Sequence, residues 1–183
     1  MNTTVSEKIK PAYEHSKVGT FLFNLSARST EFLVKHRWLY YLLACTWGIL
    51  MTAIGFIATV ILNTVKVVAE WIKPGKVKID FKKYHWIYSI SIGPKLWGGC
   101  EMGLMFFRDH DSVGDLNEHE FGHTFQNCIF GPLFPFIVAI PSAVRWWMRV
   151  LKPNKAYKPY DSAWFEDAAT QCGMYAHKYL SNK

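Results

Sequence analysis

The amino-acid sequence predicts a mainly α-helical membrane protein, and two observations lead to this prediction. Of the 183 residues, 50% are hydrophobic and only 19% are charged. No charged residue occurs in the 28 positions of 38–65, and none occurs in the 21 positions of 124–144. Because a helix needs about 20 apolar residues to cross a bilayer, both runs are long enough to enter one.

The net charge of +7 fits an anionic membrane surface or a nucleic acid. The basic residues flank the apolar runs instead of forming one dense patch, and no known nucleic-acid-binding pattern organises them. We therefore predict the lipid bilayer as a partner and no nucleic-acid partner. The four cysteines form no C-x-x-C pair, and they are expected to be free thiols.

The N-terminal segment, residues 1–37, is expected to lie at the membrane surface. Its apolar residues recur near helical spacing, with Phe21, Leu25 and Phe32 beside the basic Arg28. This pattern is typical of an amphipathic helix in the plane of the interface. The first twenty residues lack the apolar stretch of a cleaved signal peptide, so none is predicted.

Residues 38–65 are predicted to form one transmembrane helix. Trp38 and Tyr40 at its start and Trp71 beyond its end are typical of the aromatic belts at the two membrane surfaces. The alternative, a buried helix of a soluble protein, requires a larger domain to cover it on all sides. Basic residues are twice as frequent after the run as before it, which favours a cytoplasmic location for the region 66–183.

Residues 84–108 are predicted to form a small β-hairpin. They mix β-branched and aromatic residues with Gly-Pro and Gly-Gly breaks, which is the pattern of short strands joined by turns. Gly98 and Gly99 are interpreted as a turn, and an edge strand that aligns a peptide is the alternative.

The second apolar run, 124–144, is predicted to be a kinked or re-entrant membrane segment. It contains Pro132, Pro135 and Pro141, and prolines remove backbone donors and bend helices. In lipid, such irregular backbone persists only where protein or a water-filled cavity satisfies it. A basic stretch follows, and the residues after it predict an amphipathic C-terminal helix.

The sequence HEFGH, residues 119–123, matches the H-E-x-x-H pattern of zinc sites. His119 and His123 lie one helical turn apart on the same face, so both imidazoles can bind one Zn²⁺. Glu120 then stands beside a water that the metal acidifies, and it is predicted to act as the general base. The alternative is an accidental match of two surface or core histidines.

A zinc hydrolase needs a third protein ligand. The extended metzincin motif requires Gly at 126 and His at 129, but Gln126 and Ile129 occupy those positions, so this class is excluded. Glu166 is favoured because small residues and a glycine follow it on a predicted helix that can pack closely against the motif helix. The other candidates are Asp161, Asp167 and His177.

HEFGH followed by Glu166, Ala169 and Gly173 resembles the gluzincin type of zinc metallopeptidase, especially the HtpX-like membrane proteases. The resemblance implies His119, His123 and Glu166 as zinc ligands and Glu120 as the general base. It covers about residues 118–127 and 164–173, and Thr170 stands where those proteases have the aspartate that supports a ligand histidine.

The wider arrangement is also similar to small bacterial membrane proteins of uncharacterised function that share an HExGHTxQ motif. The sequence therefore predicts a membrane-bound zinc metallopeptidase that acts on a peptide or protein, at the inner membrane of a bacterium. Two alternatives are a non-catalytic membrane interaction or structural protein, in which HEFGH is accidental or structural, and a membrane-active toxin-like protein.

Overall fold

The computed structural model describes residues 9–93, 97–110 and 115–183. Six α-helices and four strands make up most of this part of the chain. In chain order they are α1 (Lys17–Leu33), α2 (Arg37–Cys45), α3 (Ile49–Ile72), β1 (Ile79–Tyr84), β2 (Ile87–Ile92), β3 (Gly99–Met102), β4 (Met105–Asp109), α4 (Leu116–Phe130), α5 (Ile140–Leu151) and α6 (Trp164–Ser181).

The strands form one mixed sheet in the order β1-β2-β4-β3. Both hairpins, β1–β2 and β3–β4, are antiparallel, and the parallel pair β2–β4 joins them. The prediction of one small hairpin over 84–108 was therefore wrong, because the sheet contains two hairpins and four strands. The sheet begins at Ile79, where apolar Ile79 and Phe81 alternate with polar Asp80 and Lys82 as in a half-buried strand.

The apolar run 38–65 is not one helix, which corrects its predicted bounds. The chain breaks after α2, where the Trp47 indole donates to the carbonyl of Ile129 at 3.2 Å. A side chain at Gly48 would crowd Asn127 of α4. These contacts tie the break to the core, so α2 belongs to the domain and the long apolar helix runs from Ile49 to Ile72 instead.

Helix α3 is 24 residues long and apolar enough to cross a membrane, as predicted for one helix of this chain. One stripe of α3, including Met51, Thr52 and Gly55, is buried against the domain. The remaining apolar surface is exposed, with Phe56, Ile57, Val60 and Ile61 among its residues.

The second apolar run bends as predicted, with an angle of 115° between the helices on either side of the break. Gly131 adopts a positive φ of 51° at the end of α4, and Pro132 and Pro135 follow in short irregular helical turns. Residues 124–130 belong to α4, and all but Ile129 are buried in the protein core. Helix α5 presents an apolar surface to the outside, and its exposed large apolar residues are Ile140, Val144, Trp147, Met148, Val150 and Leu151.

The N-terminal segment packs against the C-terminal helix. In α1, Phe23 and Ala27 are buried against Ala168 of α6. Before α1, the backbone N–H groups of Ala12 and Tyr13 donate to the carboxylate of Asp167, which also lies 2.8 Å from the His15 ring. The opposite face of α1 exposes apolar residues, namely Val18, Phe21, Leu25 and Phe32.

Candidate metal centre

Helices α4 and α6 pack with their backbones in close contact. A Cβ atom at Gly122 would overlap the carbonyl oxygen of Ala169, and one at Gly173 would overlap the carbonyl oxygen of Glu118. Only glycine allows this approach. The close packing expected from the small residues after Glu166 is therefore present, and it brings the first turn of α6 against the histidine motif.

The structure brings His119, His123 and Glu166 together at this contact. The two Nε2 atoms lie 3.1 Å apart, and Glu166 Oε2 lies 3.2 Å from that of His119 and 3.3 Å from that of His123. One ligand atom from each residue lies within 4.8 Å of the others, so the group could hold a metal ion.

The partners of the two imidazoles fix which nitrogen faces the centre. Gln126 donates its amide N–H to the carbonyl of Phe165, so its Oε1 atom accepts from Nδ1 of His123 at 2.7 Å. On the other ring, the Thr170 hydroxyl lies 2.8 Å from Nδ1 of His119. With the proton on Nδ1, each neutral ring turns an Nε2 lone pair toward the other ring, which is the arrangement of two metal ligands.

The carboxylate of Glu166 is buried, and neither of its oxygens has a hydrogen-bond partner within the described part of the chain. A buried unpaired carboxylate is costly, and a cation between it and the two Nε2 atoms removes that cost. Burial alone disfavours a charged ring, but a proton taken up on Nε2 of His123 would be shared with Glu166, and this hydrogen bond and the charge attraction raise the pKa of His123 to about 9. The donor set therefore fits a cation.

Glu120 is 4% exposed and points from α4 toward β3. A Cβ atom at Gly99 would overlap its carboxylate, so the glycine leaves room for it. Burial raises the pKa of Glu120, while His119 and His123 act in the opposite direction. The carboxylate therefore lies beside the metal group without being part of it.

A cavity of about 700 Å³ opens in front of these residues. Its floor contains His119, Glu120 and His123, and strand β3 forms one side. The other walls come from the irregular turns after α4, from α5 and from the loop before α6, with the side chains of Phe134, Val138, Ser142, Ala143, Trp146 and Tyr160. The cavity is thus largely apolar and polar at its base, as small-molecule and peptide sites commonly are.

The other acidic and histidine candidates for a third ligand lie elsewhere. Asp161 lines the cavity wall without joining the metal group. The carboxylate of Asp167 is occupied by the N-terminal segment, and His177 contacts Glu118 on the far side of α4. Among these candidates, Glu166 is the residue whose carboxylate lies near the Nε2 atoms of both histidines.

Gln126 and Tyr160 also lie at this centre and were not among the predicted site residues. Gln126 follows His123 by three positions on the same helix, so helical spacing alone could have shown that it reaches the ring. The ring centroid of Tyr160 lies 6.4 Å from that of His119, and the Tyr160 hydroxyl lies 2.8 Å from Ser142 Oγ. Tyr157, by contrast, donates to the Met148 carbonyl on α5.

Comparisons with protein families, with curated proteins and with solved structures find no match to this chain. The resemblance to gluzincins therefore stays a prediction from the motif residues.

Proposed function

We propose that this protein is a membrane-bound zinc-dependent hydrolase, most specifically a metallopeptidase of the gluzincin type. The observation that carries the proposal is the convergence of His119, His123 and Glu166, with both histidines and Glu120 lining a cavity. Each of these residues has a place in the mechanism that follows.

Zinc is the proposed ion because two imidazoles and one carboxylate are the donor set of many catalytic zinc sites. His119, His123 and Glu166 would hold the ion, and because both histidines line the cavity, a bound ion would be reached from it. Bound zinc acts as a Lewis acid and makes a water acidic enough to react near neutral pH. The Nδ1 contacts with Thr170 and Gln126 hold the two rings in the orientation that this requires.

Glu120 is the proposed general base. It accepts the proton of the attacking water and returns it to the departing amine of the substrate. Its raised pKa, caused mainly by burial, moves the carboxylate toward the range in which it both takes and gives a proton. Tyr160, at the cavity wall above His119, is placed to donate a hydrogen bond to the oxygen that becomes negative at the attacked carbonyl.

The proposed substrate is an extended segment of a peptide or protein. Strand β3 pairs only with β4 in the described sheet, and Gly99 at its start adjoins Glu120. An extended peptide can add to such an edge by main-chain hydrogen bonds, which would place its carbonyl groups along the cavity. This supports peptide hydrolysis over hydrolysis of a bond that lacks a strand-forming backbone.

The proposed location is the bacterial inner membrane, with α3 in the bilayer. Helix α3 has the length and composition for this, and its exposed surface is mostly apolar. The excess of lysines after α3 favours a cytoplasmic position for the sheet and the metal centre.

The test of the mechanism is Glu120→Gln in detergent-purified full-length protein. We expect the variant to keep about one tightly bound zinc ion at this centre and to lose hydrolysis of an unfolded protein substrate by at least about a thousandfold, because the proton acceptor is gone. Glu70→Gln, on α3 outside the cavity, is the matched control and should keep wild-type activity. Full activity in Glu120→Gln would overturn the mechanism. A zinc-loaded wild type without hydrolytic activity would favour a structural metal site.

A further inference from the structure

Helix α3 joins two parts of the chain that pack together in one domain. Before α3, Phe23 of α1 is buried against Ala168 of α6, and Tyr40 of α2 packs on Phe125 of α4 with ring centroids 5.3 Å apart. After α3, Phe106 of β4 belongs to the same core cluster as Tyr40. Because the helices before α3 and the sheet after it share one core, they lie on the same side of any membrane.

A helix that crosses a bilayer once places the segments before it and after it on opposite sides. If α3 crossed, the chain would have to cross back before the sheet begins. Only residues 73–78 lie between the end of α3 and the start of β1. A return crossing needs about 20 residues as a helix or about 10 as a strand, so this connection is too short. The chain topology therefore argues against a single crossing by α3.

The contacts of α3 with the sheet follow the helix over much of its length. A Cβ atom at Gly55 would overlap the carbonyl oxygen of Met102 in β3. Further along α3, Lys66 Nζ donates to the carbonyl of Ile79 in β1 at 2.6 Å. At 1.5 Å per residue, these two contacts lie roughly 16 Å apart along the helix axis. A bilayer around α3 would therefore also surround the edge strand β1 with Asp80, whose side chain is 45% exposed, and a carboxylate is costly there.

The face of α3 that points away from the sheet is apolar. No charged residue occurs in 49–65, and exposed apolar side chains recur on one helical face, at Leu50, Ile57, Ile61 and Val68. Trp71 is 89% exposed, and three exposed lysines follow it, Lys73, Lys76 and Lys78. Such aromatic and basic flanks are typical of helices at the surface of an anionic membrane. Glu70 is the only acidic residue of α3, so a second copy of this helix offers the lysines less negative charge than anionic lipids do.

We propose that α3 lies in the plane of the membrane, with its exposed face in one leaflet of an anionic phospholipid bilayer. The length and composition of α3 allow a crossing, but its packing on the sheet favours insertion from one side. Helices of this kind bury their apolar face about 5–10 Å deep. The metal centre then lies on the same side of the membrane as α1 and α2. The inference rests on the proposed membrane location, and it is independent of zinc binding and hydrolysis.

The first test labels single cysteines with a membrane-impermeant maleimide in bacterial spheroplasts that contain the full-length protein. Lys17→Cys lies before α3 and Lys83→Cys after it, each in a Cys45→Ser, Cys100→Ser background that keeps the two buried thiols. We expect labelling of both only after permeabilisation. Labelling of both in intact spheroplasts would support the in-plane helix and reverse its side. Labelling of one alone would demonstrate a crossing and overturn the proposal. Recovery of the protein in the soluble fraction would overturn the membrane location as well.

The second test measures depth in vesicles of phosphatidylglycerol and phosphatidylethanolamine, with nitroxide labels on single cysteines. The labelled positions share one exposed face of α3 and are Leu50, Ile57, Ile61 and Val68. We expect all four labels at a similar depth of about 5–10 Å, whereas a label at Lys83 stays in water as the control. Middle labels at about 15 Å with end labels near the surface would indicate a spanning helix and contradict the proposal. Labels shielded from lipid and close to those of another chain would assign this face to a second copy and also contradict it.

Discussion

The α4–α6 pair and α3 differ in how apolar sequence is used. Residues 124–130 of α4 are almost entirely buried, and the polar Gln126 among them donates to the Phe165 carbonyl of α6. Helix α3 buries only a narrow stripe, because 17% of its most apolar 18-residue stretch is buried inside the protein. An apolar run therefore does not by itself distinguish a buried helix from one that is exposed over most of its surface. Close-contact glycines occur in both helices, at Gly122 of α4 and Gly55 of α3, so the extent of burial is what separates the two.

The largest expected effect comes from the helix contact. Gly122→Ala places a Cβ atom against the carbonyl of Ala169, so α4 and α6 must separate. We expect a loss of about 3 kcal/mol or more in the free energy of unfolding, measured by denaturant titration in detergent. On α3, Ile57→Ala removes a side chain that is 58% exposed and should change it by about 0.5 kcal/mol or less. Equal losses in both variants would refute the contrast.

The next effect concerns the metal. Glu166→Ala removes the only carboxylate among the three proposed zinc ligands. Because one ligand is lost, zinc binding should weaken by at least about a hundredfold. Competition with a chelator of known zinc affinity measures this. Asp161→Ala, in the cavity wall, is the matched control and should keep the affinity within about threefold. A strong loss of zinc affinity in Asp161→Ala would contradict Glu166 as the third ligand.

A smaller effect is expected from the support of His119. Thr170→Val keeps the shape of the side chain and removes the oxygen that accepts from Nδ1, so zinc affinity should fall about 10–100-fold. Thr170→Asp introduces the aspartate that the HtpX-like proteases have at this position, and it should raise the zinc affinity above that of the wild type. The same competition measurement applies. Unchanged affinity in both variants would show that the hydroxyl does not orient the ring.

The last expected effect is a pH dependence in the metal-free protein. Glu166 raises the pKa of His123 from 6.5 to about 9, so the folded state holds this proton more tightly than the unfolded chain. That stability is fully present below about pH 6.5 and is lost as the pH rises through 9, by at most about 3 kcal/mol. Unfolding titrations from pH 6 to 9.5 measure it. His123→Ala should abolish the slope, and a slope of opposite sign would contradict the pairing.

The parts of the structure that local spacing determines could be predicted. His119 and His123 share one face because they are one turn apart, and the small residues after Glu166 predicted a close helix contact. The helical content, the bend near Pro132 and one helix able to cross a membrane follow from composition and proline positions. These features need no information about distant parts of the chain.

The features that depend on distant contacts could not be predicted. The break between α2 and α3 depends on the bond from Trp47 to Ile129 and on the packing of Gly48 against Asn127, both far apart in sequence. The parallel pairing of β2 and β4 is also non-local. Neither leaves a signal in a short window of sequence, so the helix bounds and the size of the sheet were wrong.

The length of β3 would limit how the proposed peptide substrate is recognised. Four residues, Gly99–Met102, span about 13 Å at 3.3 Å per residue. A peptide that adds to this edge forms hydrogen bonds over about four residues, and only every second side chain turns toward the cavity. About two side chains would then contribute to selectivity, and the backbone supplies most of the affinity. For the proposed metallopeptidase, a short edge strand would therefore favour acceptance of many sequences, provided that the segment is already unfolded.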